Sequence, residues 1–213
     1  MSDIAVLGAG HTGPIIARMG VETGHHVSLS ASGDPQKIAL ITQVLVPGAE
    51  PRWGAEAVRD AKIVVLAMPL HAFQKLDPAL FEGKLVIDIM NYWPPTDGDQ
   101  PLFDVAGRGS SEIVAEGLAG ATVVKTLNHI GYHDMDDRRR PAGAPDRLAM
   151  GVAGDDPAAV ARVAALVDSF GYEPIVFDSL AAGRDFEPGS PVFGALMTPA
   201  EFLAALVPAQ RAA

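Results

Sequence analysis

A glycine-rich segment near the start of the chain, DIAVLGAGHTGPII (residues 3–16), constrains the fold more than any other stretch. Its three glycines follow a strand-like apolar run at the spacing G-x-G-x-x-G, and a helical pattern follows them. In this context Gly8 permits a tight turn, Gly10 lets the backbone approach a pyrophosphate, and Gly13 lets the helix pack against the strand. Pro14 is compatible with this, because the first helical turn has no intrahelical N–H bond to lose. The segment therefore predicts a dinucleotide-binding turn rather than a plain connection between a strand and a helix.

Apolar runs alternate with helical patterns along almost the whole chain. Strands are predicted at residues 4–8, 25–31, 51–53, 62–68, 84–90, 121–127, 147–154 and 173–178. Helices are predicted at residues 13–24, 34–45, 55–61, 71–81, 110–120 and 156–171, and Pro78 interrupts the fourth of them. This alternation predicts an α/β fold of the Rossmann type, a doubly wound and mainly parallel sheet with helices on both faces. We divide the chain into an NAD(P)-binding domain over residues 1–178 and a small C-terminal helical extension over residues 179–213.

Two long polar segments, residues 91–109 and 128–146, interrupt the alternation, and each follows a predicted strand. Long irregular segments are uncommon in compact domains and are usually functional. Open α/β sheets bind ligands beyond the carboxyl ends of their strands, so we expect these two loops to form the walls of the site. Tyr92 and Trp93 in the first loop are either an aromatic wall for a planar ligand or packing beneath the loop.

Composition and charge narrow the function classes. The chain has 213 residues, no cysteine and a formal net charge of −10. The missing cysteines exclude disulfides and thiolate chemistry, and the negative charge argues against nucleic-acid and anionic-membrane binding. No apolar run is long enough to cross a bilayer, and the first residues lack the pattern of a secretion signal. We therefore expect a cytoplasmic protein with no membrane or nucleic-acid partner, and the histidines and carboxylates show no spacing typical of a metal site.

The end of the second predicted strand indicates which dinucleotide is bound. NAD-binding domains place an acidic residue there to bind the ribose hydroxyls, whereas this chain has SLSASGD. Asp34 is better explained as a helix N-cap, since Pro35 follows it at the first helical position. Ser30 and Ser32 offer hydroxyl groups, and Lys37 lies one turn into the next helix, an arrangement that suits a 2′-phosphate. The sequence therefore predicts NADP(H).

Several motifs in order resemble one family. They are the glycine turn, AMPLHAF after the fourth strand, the SSEIVAE helix, the VVKTLNHIG strand and the unit GVAGDDPAAVARVAALVDSFGYEPIVFD. Together they resemble the NADP oxidoreductase, coenzyme F420-dependent family over essentially the whole chain. The resemblance implies NADP(H) along the strand ends and a hydride acceptor over the nicotinamide, with the deazaflavin coenzyme F420 as co-substrate. By matching motif positions it implies cofactor contacts at Gly8, Gly10, His11, Thr12, Gly13, Ser30, Ala31, Ser32, Met68 and Pro69.

Two positions depart from the F420-reducing members of that family. Ala31-Ser32 stands where those members carry Ser-Arg, and Leu127-Asn128-His129 stands where they often carry Leu-His-Thr. The cofactor class therefore transfers to this chain, and the acceptor stays open.

Candidate catalytic groups cluster in KTLNHIGYHD, at and just after the sixth strand. Reduction of a ketone or an imine needs a proton donor, for which Asn128, His129 and Tyr132 are the candidates, with His133 as a neighbouring alternative. Hydride transfer to a deazaflavin needs mainly the alignment of two stacked rings. Residues 138–140, three arginines, either attract an anionic substrate or are solvated.

Three functions thus remain open at the sequence level. The chain transfers a hydride between NADP(H) and a planar acceptor such as coenzyme F420, or it is an NADPH-dependent reductase of a small-molecule ketone or imine. The third option is a non-catalytic protein that binds or senses NADP(H). The partner expected for the two enzymes is a small-molecule acceptor, and the apolar C-terminal tail predicts a homodimer.

Overall fold

A computed structural model describes residues 3–103 and 106–210 of the chain. Its strands are β1 (Asp3–Leu7), β2 (His26–Ser30), β3 (Glu50–Pro51), β4 (Ile63–Leu66), β5 (Leu85–Asp88), β6 (Thr122–Thr126), β7 (Ala149–Ala153) and β8 (Glu173–Phe177). Its α-helices are α1 (Thr12–Glu22), α2 (Ala39–Leu45), α3 (Gly54–Asp60), α4 (Leu70–Phe73), α5 (Pro94–Asp97), α6 (Ser110–Gly117), α7 (Tyr132–Asp137), α8 (Pro157–Ser169) and α9 (Pro199–Gln210). Three 3₁₀-helical turns lie at Pro35–Ile38, Pro78–Phe81 and Leu180–Phe186.

The strands form one eight-stranded sheet in the order β3-β2-β1-β4-β5-β6-β7-β8. Strands β1 to β6 are parallel, β7 is antiparallel to β6, and β8 is parallel to β7. The last residue of β1, Leu7, lies opposite Ser30 in β2 and Leu66 in β4, so these strands end at one edge. The strand order reverses between β1 and β4, and ligands of open α/β sheets bind at such a switch point. The predicted fold class is confirmed.

The sheet is covered on both faces because its parallel strands are apolar on both sides. In β1, Ile4 and Val6 belong to one buried cluster, whereas Ala5 and Leu7 belong to the cluster on the opposite face. Helix α1 packs on the first face through apolar side chains such as Met19, which is fully buried. Each large apolar side chain buried in this way contributes roughly 1.5–3 kcal/mol.

The C-terminal extension packs against the sheet of the same chain. Phe186, Val192, Phe202 and Leu206 form a third cluster together with two alanines of β7. Two of the apolar side chains of α9, Phe202 and Leu206, are thereby buried within the chain. The homodimer that was expected from this tail remains a prediction.

Helix boundaries depart from the sequence prediction in several places. The helix predicted at residues 34–45 is a 3₁₀ turn, Pro35–Ile38, followed by α2. The helix predicted at residues 71–81 with an interruption at Pro78 does break there, where a 3₁₀ turn begins that is capped by the Asp77 side chain, but α4 before the break is only a single turn. Proline at the start of a turn favours this break, because it disfavours helical backbone in the preceding residue. The two long loops contain the short helices α5 and α7, whose polar sequences lack an apolar period. Asp104 and Val105, in the first loop, lie outside the described residues.

None of the helices in the described part of the chain combines the length and the apolar character that a membrane crossing requires.

Candidate functional site

The glycine turn joins β1 to α1, and each of its three glycines has a distinct environment. Gly8 has a φ of 127°, and a Cβ there would lie 2.1 Å from the carbonyl oxygen of Ala67. A Cβ at Gly13 would lie 1.8 Å from the carbonyl oxygen of Gly8. At Gly10, by contrast, a Cβ would have no protein atom within 4 Å. The outer glycines are therefore required by the turn itself, and the middle one leaves the backbone open to a ligand.

The N-terminus of α1 is suited to an anion. The first turn of a helix carries N–H groups that have no intrahelical acceptor, and the helix dipole adds a partial positive charge. His11 at the N-cap makes no side-chain hydrogen bond to this turn, and the turn contains no acidic residue. A diphosphate beside Gly10 fits this arrangement.

A cleft of about 580 Å³, here called the long cleft, runs from the glycine turn between the ends of β2 and β4. It is lined by Leu7, Gly8, Ala9, Gly10, Ser30, Ala31, Ser32, Gly54, Ala67, Met68, Pro69, His71, Ala72, Lys75 and Leu76. This lining, all of it in the described part of the chain, includes no aspartate or glutamate. Asp34 caps the 3₁₀ turn that follows, with Oδ1 accepting from the Gln36 N–H at 2.9 Å, so the N-cap prediction is confirmed. Lys37, on the same turn, is exposed and lies outside the lining.

A second cavity of about 420 Å³, here called the aromatic cavity, opens beside the long cleft. It is lined by Thr12, Met68, Pro69, Leu70, Asn91, Trp93, Asp97 and Phe193. Met68 and Pro69 line both spaces, so the two are adjacent just beyond the end of β4. Concave, largely apolar spaces of this kind are typical of ligand sites.

The wall of the aromatic cavity is built from two distant parts of the chain. Trp93 stacks on Phe193 with ring centroids 5.9 Å apart and an interplanar angle of 23°. Tyr92, which was expected either in this wall or in packing beneath the loop, packs on Phe103, and its hydroxyl accepts from the Gln100 N–H at 3.1 Å. Sequence reasoning missed Phe193, because the PVFGAL segment around it carries no motif.

A carboxylate at the rim of the aromatic cavity is already engaged. Asp97 in α5 accepts from the Trp93 N–H at 3.0 Å, and its side chain is almost fully buried. Its other oxygen lies 3.6 Å from Nδ1 of His71 in α4. The pair connects the segments that follow β4 and β5 across the opening between the two cavities.

The residues predicted to be catalytic begin at a strained turn. Leu127, at the end of β6, has a φ of 55°, a conformation that L-residues rarely adopt. Asn128 follows this residue, and the Nδ2 of Asn128 donates to Asn91 Oδ1 and to the carbonyl of Phe186, both at 2.9 Å. Asn91 Nδ2 donates in return to the Asn128 carbonyl at 2.8 Å. Asn128 therefore lies behind the aromatic cavity and holds Asn91, which lines it.

His129 is buried in the C-terminal cluster. Its Nε2 accepts from the Gly151 N–H at 3.1 Å, and its ring lies 5.9 Å from that of Phe186 and 5.2 Å from that of Phe202. Burial lowers the pKa of the imidazole to about 4, so the ring is neutral at physiological pH. The ring is therefore neutral and away from solvent, and a catalytic role for His129 stays a prediction.

Tyr132 belongs to the neighbourhood of the glycine turn. Its ring stacks on His11, with centroids 4.7 Å apart and an interplanar angle of 12°, and on the other side it contacts His133 at 4.0 Å. The side chains of Asn128, His129 and Tyr132 are thus distributed over three environments, and none of them is among the described residues that line the aromatic cavity.

The three arginines at residues 138–140 are partly neutralised. Arg139 pairs with Glu22 at 2.7 Å and with Asp136 at 3.0 Å, and Arg140 pairs with Asp146 at 2.8 Å. These ion pairs account for two of the three positive charges that the sequence offered to an anionic ligand.

A buried ion network lies behind the aromatic cavity. Lys125 in β6 has no exposed surface, and its Nζ donates to the carbonyl of Met90 and, at 3.3 Å, to Ser110 Oγ. The carboxylates of Asp88 and Glu187 lie 3.6 and 3.3 Å from the same nitrogen. Charged residues inside a sheet that is covered on both faces must be paired. Asp88 within the apolar run VIDI and Lys125 within VVKTL were therefore the sequence signal for this network.

The comparison with known families concerns the N-terminal part of the chain. Residues 3–92 match the model of the family described as NADP oxidoreductase coenzyme F420-dependent. This segment contains β1 to β5 and the glycine turn. Over these residues the resemblance drawn from the sequence motifs is confirmed, and with it the enzyme class, an NADP-dependent oxidoreductase.

Two solved structures are similar over most of the chain. A hypothetical protein from Sinorhizobium meliloti superposes with a TM-score of 0.78 at 25% identity, covering 93% of this chain and 96% of that one. A protein from Arthrobacter sp. FB24, provisionally described as an F420-dependent NADP-reductase, superposes with a TM-score of 0.74 at 27% identity, covering 86% of this chain and 88% of that one. Among curated proteins, YjhV of Escherichia coli K12 is 39% identical over 59 residues, which are 28% of this chain and 43% of YjhV. The match therefore spans less than half the length of that relative.

Proposed function

From the premise that residues 3–92 carry the pattern of the NADP oxidoreductase, coenzyme F420-dependent family, we propose a function for the whole chain. The protein binds NADP(H) in the long cleft and transfers a hydride between the nicotinamide and a planar acceptor in the aromatic cavity, such as coenzyme F420. The observation that carries this proposal is the adjacency of the two cavities, which share Met68 and Pro69, with the Trp93–Phe193 stack in the lining of the second.

The long cleft fits two parts of the dinucleotide, the pyrophosphate and the phosphorylated ribose. The open backbone at Gly10 and the uncapped first turn of α1 suit the pyrophosphate. Ser30, the nearly buried last residue of β2, and Ser32 just beyond it bring uncharged hydroxyls to the lining, and Asp34 is occupied as an N-cap. A carboxylate in this position would bind the ribose hydroxyls of NAD(H) and repel a phosphate, so its replacement by serines favours NADP(H).

The aromatic cavity fits a planar ring better than a small carbonyl compound. Stacking between aromatic rings favours offset parallel arrangements, and Trp93 and Phe193 lie nearly parallel at one wall. A ring placed against this wall faces the end of the long cleft, where the nicotinamide of a bound dinucleotide lies. Holding two rings in contact is the main catalytic requirement of hydride transfer.

The polar groups around the aromatic cavity support binding rather than proton donation. Thr12 and Asn91 are uncharged, and Asp97 is held by the Trp93 N–H and by His71. When bound, NADPH supplies a hydride from C4 of its nicotinamide; the deazaflavin ring takes this hydride on a carbon atom and a proton from water. The overall exchange consumes one NADPH and one proton for each acceptor reduced, and it requires no side chain to donate that proton. Because a ketone or imine reductase requires such a donor, deazaflavin-type transfer is the better match.

An assay of NADPH with oxidised coenzyme F420 tests this function. We expect enzyme-dependent loss of the visible absorbance of the deazaflavin, matched mole for mole by NADPH oxidation. Trp93→Ala should raise the KM for F420 by roughly tenfold, the value of an aromatic stacking contact, and leave NADPH affinity unchanged. Absence of bleaching at high enzyme concentration would remove F420 as the acceptor, and turnover of simple ketones or imines instead would favour the reductase.

A further inference from the structure

We infer that Lys75 supplies the positive charge that binds the 2′-phosphate of NADP(H), from the wall of the long cleft opposite Ser30 and Ser32. This inference rests on the proposed function and names the group that sets the preference for NADP(H) over NAD(H). The sequence had placed a cation for this phosphate at Lys37, on the same side of the cleft as the serines.

The position of Lys75 follows from the short helix α4. The helix ends at Phe73, and the chain continues in a tight turn in which the Lys75 N–H donates to the carbonyl of Ala72 at 3.1 Å. This turn places Lys75 in the lining of the long cleft together with Ser30 and Ser32.

Lys75 is available to a ligand. Its side chain is exposed, and within the described part of the structure its ammonium group has no hydrogen-bond or ion-pair partner. Two other lysines are engaged: Lys84 donates to the carbonyls of Arg59 and Ala61, both at 2.8 Å, and Lys125 is buried in its ion network. The second group in the lining that can carry a positive charge, His71, lies beside the Asp97 carboxylate.

The charge around the cleft selects a phosphate over a hydroxyl. The chain as a whole has a net charge of −10, yet no described residue of the cleft lining is acidic. A phosphate monoester carries nearly two negative charges at neutral pH and three strong acceptor oxygens. Serine hydroxyls donate hydrogen bonds to such oxygens, and a lysine adds a point charge on a flexible stem that can reach them. The ribose hydroxyl of NAD(H) gains little from the ammonium group.

Titration of NADPH and NADH by nicotinamide fluorescence tests the role of Lys75. We expect Lys75→Gln to weaken NADPH binding by roughly tenfold to a hundredfold, the value of a charge-assisted hydrogen bond, and to change NADH binding less than about twofold. Lys75→Arg should keep most of the NADPH affinity. Lys62→Gln removes an equal charge from an exposed lysine that does not line the cleft and should change neither affinity. Lys37→Gln measures the contribution of the cation suggested by the sequence.

The outcomes separate this inference from the proposed function. If wild type prefers NADPH and Lys75→Gln leaves the ratio of the two affinities unchanged, Lys75 has no such role while the function stands. A parallel loss of NADPH and NADH affinity would also overturn it, because that result indicates a general effect on the cleft. If wild type binds neither nucleotide, the proposed function fails first.

Discussion

At the scale of single residues, the buried imidazole of His129 couples the stability of the fold to pH. The folded protein holds this ring neutral, with a pKa of about 4, whereas an exposed histidine in the unfolded chain has a pKa of about 6.5. As pH falls from about 6.5 to about 4, the unfolded state binds a proton on this histidine and the folded state does not, so the free energy of unfolding decreases over that pH range. The expected loss from this residue is about 3 kcal/mol.

Denaturant unfolding of wild type and His129→Gln between pH 7 and pH 4 measures this loss. The glutamine keeps an acceptor within reach of the Gly151 N–H and does not titrate. Wild type should lose more stability than the variant as pH falls, because carboxylates contribute equally to both. Parallel stability curves would show that His129 is not the group responsible.

Substitution by alanine should affect stability at one glycine of the turn and NADPH binding at another. Gly8→Ala forces a left-handed φ on alanine and a contact at 2.1 Å with a backbone oxygen, so it should lower the melting temperature. Gly10→Ala meets no protein atom within 4 Å and should leave the melting temperature unchanged. Its methyl group occupies the space proposed for the pyrophosphate, so NADPH affinity should fall by more than about tenfold. Unchanged NADPH binding in Gly10→Ala would refute the proposed location of the diphosphate.

Residue-level prediction from the sequence succeeded where a role depends on near neighbours. The Asp34 cap depends on a contact two positions along the chain, and the glycine turn is recognised from the spacing of its glycines, although Gly8 is also constrained by the distant Ala67 carbonyl. Phe193 and Lys75 could not be found in this way, because their positions depend on how the C-terminal extension folds back and on where α4 ends. His129, a candidate proton donor in the sequence, is buried because phenylalanines far along the chain cover it.

At the scale of elements, the ion network around Lys125 joins β5, β6, α6 and the C-terminal extension. Lys125→Met should destabilise the fold by roughly 3–5 kcal/mol, because the Asp88 and Glu187 carboxylates would lose their cation. Adding Glu187→Gln to Lys125→Met should recover part of that loss by removing one uncompensated charge. Urea unfolding measures both effects, and a cost below about 1 kcal/mol for Lys125→Met would contradict the account.

Element prediction from the sequence was accurate for the strands and the long helices. Parallel strands that are buried on both faces are continuous apolar runs, which makes β1, β4 and β5 easy to recognise. The short helices α5 and α7 were not predicted from the sequence, since a helix of one or two turns is stabilised by its surroundings rather than by its own sequence. The antiparallel pairing of β7 with β6 has no sequence signal, because it follows from the path of the loop between them.

At the scale of the whole molecule, the site is an assembly of the sheet edge and the C-terminal extension. The sheet presents the long cleft, and the extension packs on β7 and β8 and brings Phe193 to the aromatic cavity. The family model matches residues 3–92, which exclude both residues of the aromatic stack, Trp93 and Phe193. The proposed acceptor cavity therefore combines residues of the matched segment, such as Thr12 and Asn91, with residues beyond it.

The central claim, direct hydride transfer from NADPH to a planar acceptor, is tested most directly with NADPH carrying deuterium at C4 of the nicotinamide. Each of the two C4 stereoisomers is mixed with the protein and oxidised coenzyme F420, and the reduced deazaflavin is analysed by mass spectrometry. We predict that the label from one stereoisomer is transferred to the deazaflavin and that the label of the other is retained in NADP⁺, because a fixed cleft presents a single face of the nicotinamide. Reduced deazaflavin without label from either isomer, or no reduction at all, would contradict the account.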